Sequence, residues 1–281
     1  MAGTGIVALA DTIFAEIVEG KVLDEVRPAN TSRDFVWFAA KGPSQVASFG
    51  EWGDGGAAAA ITNDLTEVSS SVLSDTQVSA TASGFGFRVD ISDFVREINV
   101  ADVYGMASRQ VAAALAEKWE TDLAALMDDF ANVTTSASTF NGVDLLAGLS
   151  ALEQRDIPGP FAVYLDPKQT GELRVDIATT NSSFEDGGRN AALVSPNSNS
   201  GFFGTYMGLP IYQTSLVVST SSLVGGAIFA SGQAIGAYEV IPQRIETQRD
   251  ASYSSLEFVG THWYGLCEVS DLRGQTLKSA A

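Results

Sequence analysis

Asp102 to Ala131 reads DVYGMASRQVAAALAEKWETDLAALMDDFA, and this stretch decides the fold. Tyr104, Ala107, Val111, Leu115, Trp119, Leu123, Leu126 and Phe130 recur every three or four residues, about 3.7 on average, which is the period of a helix with one apolar face. Arg109, Glu117, Lys118, Glu120 and Asp122 fall on the other face. At 1.5 Å per residue the helix runs about 42 Å, long for a compact domain. Asn99 is placed to cap its start, with Asp102 in the first turn. Asp128 and Asp129 sit at the negative end of the helix dipole, where carboxylates are disfavoured, so another contact must justify them.

Before the helix lies a segment of a different kind. Arg33 to Phe38 reads as a strand, and Val72 to Ala82 and Phe85 to Ile91 alternate as strands. Between them runs GPSQVASFGEWGDGGAAAAITNDLTEVSSS, dominated by Gly, Ala and Ser. An excursion of this length and composition makes no core of its own. The two readings are a disordered loop and a long β-hairpin extended onto another subunit, and the hairpin is preferred. Trp52 near its tip, followed by Asp54, has no local aromatic partner. Upstream, Ile6, Leu9, Ile13, Phe14, Ile17 and Val18 form the stripe of a short amphipathic helix with little of its own domain to pack on. Gly3 to Ala8 imitates a dinucleotide fingerprint, but no strand precedes it.

After the helix, Ser92-Asp93-Phe94 having formed its turn-like approach, the chain changes again. Val143 to Leu152 has helical spacing, and Pro158-Gly159-Pro160 stops it. Phe161 to Leu165 reads as a buried strand. Asp166-Pro167 opens a further helix as cap and first position, running to about Ala178. Residues 179–201 form a polar loop. Strands follow at Tyr206 to Tyr212, Leu216 to Val218, Gly225 to Ala230, Glu239 to Ile245, Leu256 to Val259 and His262 to Val269, and the tail from Leu272 to Ala281 reads as polar and frayed. The class is α+β, with a unit at about 143–235 inserted into a second unit made of distant segments.

Composition narrows the function. The 281 residues carry a net charge of −18, with a pI of about 4.2, and 45 % are hydrophobic. Such a surface repels nucleic-acid phosphates. The one cysteine, Cys267, and one histidine, His262, give neither an internal disulfide nor the ligands of a structural zinc site. They lie five apart on a strand and so face opposite ways, which disfavours a Cys-His dyad. No Gly-x-Ser-x-Gly elbow, Walker loop or EF-hand spacing is present. Asp54-Gly55-Gly56 and Asp186-Gly187-Gly188 read as turns rather than cation sites. No catalytic residue, cofactor site or metal site is marked. The start has no signal peptide pattern and no run is long enough to span a membrane, so synthesis in the cytoplasm is expected.

The order of parts resembles the major capsid proteins of tailed bacteriophages, the HK97-like fold. The resemblance is carried by VREINVADVYGMASRQVAAALAEKWETDLAAL for the spine helix and by FAVYLDPKQTGELR for a strand, a proline and a helix. GTYMGLPIYQTSLV and VIPQRIETQRDASYSSLEFVGTHWYG are similar to the later strands. The resemblance implies an N-terminal arm (1–32), an extended E-loop hairpin (33–89), a peripheral domain with the spine helix (90–142 and 236–281) and an axial domain (143–235). It implies a non-enzymatic shell protein, assembling into hexamers and pentamers of an icosahedral head around double-stranded DNA. Its partners would be further copies of itself, a separate scaffolding protein, a portal, and with or without them a cement or decoration protein. Ile13, Phe14, Ile17, Trp52, Asp54, Asp128 and Asp129 are the expected subunit-interface residues. Lys41 is the hairpin's one lysine and lies near its base, so covalent cross-linking is not expected. The competing readings are an encapsulin-like cellular shell and an acidic α+β hydrolase.

Overall fold

One helix lies across two sheets, and the rest of the chain is arranged around it. The computed structural model describes residues 31–52, 74–98, 103–136, 139–180, 202–206, 208–217 and 223–280. After a 3-10 turn at Thr31–Phe35 the strands are β1 (Trp37–Phe38), β2 (Val46–Trp52), β3 (Asp75–Thr81), β4 (Ser83–Ser92), β5 (Val133–Thr135), β6 (Phe161–Leu165), β7 (Phe202–Tyr206), β8 (Leu209–Gln213), β9 (Leu223–Ala230), β10 (Ile235–Asp250), β11 (Ser255–Glu268) and β12 (Gly274–Ala280). The helices are α1 (Asp93–Ile98), α2 (Val103–Asp129), α3 (Gly142–Glu153) and α4 (Pro167–Thr180). They build a four-stranded sheet in the order β1-β10-β11-β4, a six-stranded sheet in the order β5-β12-β9-β6-β8-β7, and a separate hairpin β2-β3.

Helix α2 has 27 residues, about 40 Å of rise. Its buried side chains step by four along one face: Val111, Leu115, Trp119, Leu123 and Met127. The first half packs with Ile91, Ile245 and Phe258 of the four-stranded sheet. The second half packs with Ala162, Tyr164, Ala227 and Phe229 of the six-stranded sheet. Buried alanines at 107, 112, 116 and 124 let the helix approach closely. Two glycines do the same from the strands. A Cβ on Gly260 of β11 would meet Val111 Cγ1 at 2.3 Å, and one on Gly274 of β12 would meet the Phe130 ring at 2.2 Å.

The six-stranded sheet is buried on both faces. On β6, Ala162 and Tyr164 point toward the end of α2, whereas Val163 and Leu165 join the core beneath α3 and α4 with Leu145, Leu152, Leu173, Ile228 and Leu277. Both helices are capped as their sequences require. Asn141 Oδ1 accepts from the Val143 and Asp144 amides, and Asp144 Oδ2 accepts from the Asn141 amide at 3.1 Å, a reciprocal capping box. Asp166 Oδ1 accepts from the Lys168 amide at 2.7 Å at the start of α4. The buried Gln169 donates its amide to Val224 O, Leu277 O and Ser279 Oγ, tying α4 to β9 and β12.

Several expectations are corrected. The tail is not frayed: Gly274–Ala280 is a strand between β5 and β9, and Leu277 is fully buried. It looked polar because its buried groups are polar, but they are paired. Thr276 Oγ1 donates to Met127 O at 3.0 Å, and Gln275 Nε2 donates to Thr134 Oγ1 at 2.9 Å. This strand also places part of the 236–281 segment in the sheet of the inserted unit. Arg33 to Phe38 is a 3-10 turn followed by two strand residues, not a full strand. Residues 215–217 form a turn where a strand at Leu216 to Val218 was expected, and Val218 lies outside the described residues. Asn99 and Asp102 lie outside them too. Among the described residues no helix is long and apolar enough to cross a membrane.

Two substitutions test this packing. Leu277→Ala should destabilise the fold by about 2–5 kcal/mol, the range for a fully buried leucine, whereas a frayed tail would show no loss. Gly260→Ala should cost about 1–3 kcal/mol by driving α2 off β11. Urea denaturation of the purified chain reads both.

Candidate assembly surfaces

A cluster of ionisable side chains lies at the junction of the 3-10 turn, α2 and the four-stranded sheet. Arg33 Nη2 donates to both oxygens of Glu239 at 3.1 and 3.2 Å. His262, fully buried, holds Nε2 at 2.6 Å from Glu239 Oε1 and stacks on Trp119 at 5.8 Å. Burial raises the Glu239 carboxyl, but the His262 and Arg33 contacts outweigh it and keep the group below its ordinary value. Tyr264 donates to Asp122 Oδ2 at 2.7 Å, and Lys118 pairs with Asp122 Oδ1 at 2.6 Å. The charged face expected for α2 is thus partly packed. Sequence reading missed the pairing of Glu239 and His262, although the β10-β11 register, with Glu239 opposite Tyr264, brings them to diagonal positions on one face. This cluster ties the 3-10 turn, α2 and the β10-β11 pair together.

Cys267 faces away from His262, as their spacing on β11 requires. It packs with Phe49 and Tyr238 beneath the hairpin, and burial pushes its thiol up to about 11, which makes it a poor nucleophile. Among the described residues no group of three metal-ligating side chains is assembled.

Asp128 pairs with Lys278 of its own chain at 3.0 Å, which answers its position at the helix C-terminus. Asp129 lies near Glu268, whose carboxyl is raised to about 8 by burial first and then by Asp271 and Asp129. Ile13, Phe14, Ile17 and Asp54 lie outside the described residues. Trp52 ends β2 opposite Asp75, where the described hairpin stops.

Two exposed surfaces stand out among the described residues. The hairpin β2-β3 is anchored at its base: Phe49 packs over Gly236 and against Trp37 at 5.2 Å, and Glu51 pairs with Arg273 at 2.9 Å. Its other face carries no core. The second surface is the end of the four-stranded sheet. There Phe94 and Ile98 of α1 are 73 % and 62 % exposed, Met106 is 59 % exposed, and Tyr253 in the β10-β11 turn is 80 % exposed. The turn is held to α1 by Arg249, which binds both Asp93 oxygens at 2.6 and 3.1 Å, and by the Asp93 amide donating to Ser254 O.

The same architecture occurs in solved capsids. The chain matches a Mycobacterium phage Che8 structure with a TM-score of 0.64 at 18 % identity, covering 83 % of this chain and 84 % of that one. It matches the capsid of cyanophage P-SCSP1u with a TM-score of 0.69 at 18 % identity, covering 89 % and 88 %. A virus-like particle from Pyrococcus furiosus matches with a TM-score of 0.61 at 12 % identity, covering 94 % and 99 %. No curated protein matches. The family model described as phage capsid protein matches residues 75–274, from the returning hairpin strand to the first residue of β12. The chain therefore belongs to the phage capsid protein family, and it is a structural protein of the virion shell.

Proposed function

We propose that this chain is the major capsid subunit of a tailed phage, and that it assembles into hexamers and pentamers of an icosahedral head around double-stranded DNA. The family match over residues 75–274 carries the reading, and it favours a phage head over a cellular shell. In this reading α2 is the spine, β2-β3 is the base of the E-loop, the four-stranded sheet is the peripheral domain and the six-stranded sheet with α3 and α4 is the axial domain. Assembly takes place in the host cytoplasm with a scaffolding protein and a portal, with or without a decoration protein.

The contacts between copies must overcome like charge. The chain has 34 acidic and 16 basic residues. Eight of the basic residues (Arg33, Arg88, Lys118, Lys168, Arg244, Arg249, Arg273 and Lys278) already pair within the chain. Half of the bases are thus committed within the chain, which weakens charge pairing as a source of attraction between copies. Apolar burial supplies attraction without a charge partner, at roughly 25 cal/mol per Å². We therefore assign Phe94, Ile98, Met106 and Tyr253 to a contact between copies, beside Ile13, Phe14, Ile17, Trp52, Asp54 and Asp129. Asp128 is kept as an interface residue through the Lys278 pair it presents. An acidic inner wall would let packaged DNA slide rather than adhere.

Light scattering and electron microscopy of the chain co-expressed with its scaffold should show closed particles of megadalton mass. A monodisperse monomer under those conditions contradicts the reading. The double substitution Phe94→Ser with Ile98→Ser should leave subunit stability within about 0.5 kcal/mol, as for exposed sites, while abolishing particles. Normal particles would remove this surface from the interface.

A further inference from the structure

The described chain begins with one short 3-10 turn, Thr31–Phe35. Ser32 of this turn is fully buried. Its Oγ donates to Glu120 Oε1 and accepts from Trp119 Nε1 at 3.3 Å. Arg33, next along, reaches the other way to Glu239 and lies over the Trp119 ring at 4.8 Å. Phe35 O then accepts from the Gly232 amide at 2.7 Å, and Val36 enters the core. The turn is thus gripped by two carboxylates, Glu120 from α2 and Glu239 from β10.

The two grips differ in kind. Glu239 is met by Arg33 and His262. Glu120 is half-buried and is met by two neutral donors of the turn, the Ser32 hydroxyl and the Ser32 backbone amide. The cations of the cluster are engaged elsewhere: Arg33 on Glu239 and Lys118 on Asp122. The remaining titratable groups of the cluster are Asp122 on α2 and His262 and Tyr264 on β11, with Asp122 and Tyr264 bonded to each other. Among the described residues no cation meets Glu120, so beneath the closed turn its ionised form is a partly desolvated charge without a counter-ion there, and lifting the turn hydrates it.

We propose that the turn Thr31–Phe35 is a pH-operated latch: protonated Glu120 keeps it closed on α2, and ionisation of Glu120 opens it and frees the root of the N-terminal thirty residues. The sign follows from linkage. Burial, opposed by the Ser32 bonds, holds the Glu120 carboxyl up at about 7 when the latch is closed, against an ordinary value of 4.5. A group whose pKa is raised in the closed state favours closure fully below the lower value and loses that preference as pH rises through the higher one. Glu239 acts on the opposite flank. Its carboxyl lies below the ordinary value in the closed state, so its grip on Arg33 is present above the ordinary carboxylate range and is lost in stronger acid. Closure is therefore firmest in mild acid, and neutral to alkaline pH opens the latch. The device belongs to one chain and does not depend on shell assembly.

Hydrogen exchange of the full chain, read by mass spectrometry from pH 5 to 8 and corrected for the intrinsic chemical rate, tests this. Protection of residues 31–35 should fall about tenfold or more across the range, the order set by linkage over one to two units, while β9 stays constant. Glu120→Gln, neutral at every pH, should make the protection of 31–35 independent of pH. An equally steep fall in Glu120→Gln overturns the proposal. Should that variant not fold, the wild-type series decides alone, because constant protection of 31–35 from pH 5 to 8 also overturns it.

Discussion

The close approach of one helix to two sheets is the constraint on which this subunit depends. Helix α2 can touch both because glycine stands where each sheet meets it, Gly260 under Val111 and Gly274 under Phe130. Any side chain at either place would push the helix outward, and interiors packed at crystal-like density do not absorb such a shift. The alanines of α2 belong to the same solution, since small residues on the helix and missing Cβ atoms on the strands both shorten the distance. A helix held this way ties together sheets that are otherwise built from distant parts of the chain. The last strand completes the tie. It closes the six-stranded sheet, and its Thr276 hydroxyl bonds the final turn of α2 through Met127 O.

Much of this was legible in the sequence, and the reason is periodicity. The stripe from Tyr104 to Phe130 has one physical solution, and α2 spans Val103–Asp129. Within the described residues the alternations read at Val72 to Ala82 and Phe85 to Ile91 resolved into β3 and β4, and Asp166-Pro167 opened α4 as its chemistry requires. What escaped was burial achieved by pairing rather than by hydropathy. Gln275, Thr276 and Ser279 read as solvent-loving, yet each finds a partner inside. Glu120 read as a surface charge because its place on the helical wheel is polar, but the 3-10 turn covers that place. Sequence spacing locates a residue on its own element and says nothing of which distant segment will lie across it.

The exposed apolar surface was legible in a weaker sense. Ser92-Asp93-Phe94 read as a turn-like approach to the long helix, a local role for Phe94. Instead Asp93–Ile98 is a short helix, α1, that leaves Phe94 and Ile98 exposed, and the Asp93–Arg249 pair ties its start to β10. Asp128 shows the reverse case. Its misplaced charge suggested a partner, and the partner at 3.0 Å is Lys278 of the same chain, brought there by a strand that composition had hidden.

Electrostatics and shape then act together. A subunit with more than twice as many acids as bases places three of its cations at internal joints, at the hairpin base, the 3-10 turn and the sheet end. Each joint fixes a described element at an edge of the fold: Glu51–Arg273 the hairpin, Arg33–Glu239 the 3-10 turn Thr31–Phe35, Asp93–Arg249 the apolar tip. Surface ion pairs contribute little stability, typically below about 1 kcal/mol each. Three such pairs at three edge elements are better understood as setting angles than as holding the fold. A closed shell demands this, because copies related by rotation meet correctly only if every projecting part leaves the body at a fixed angle. Apolar contact can then supply the attraction without having to supply the geometry.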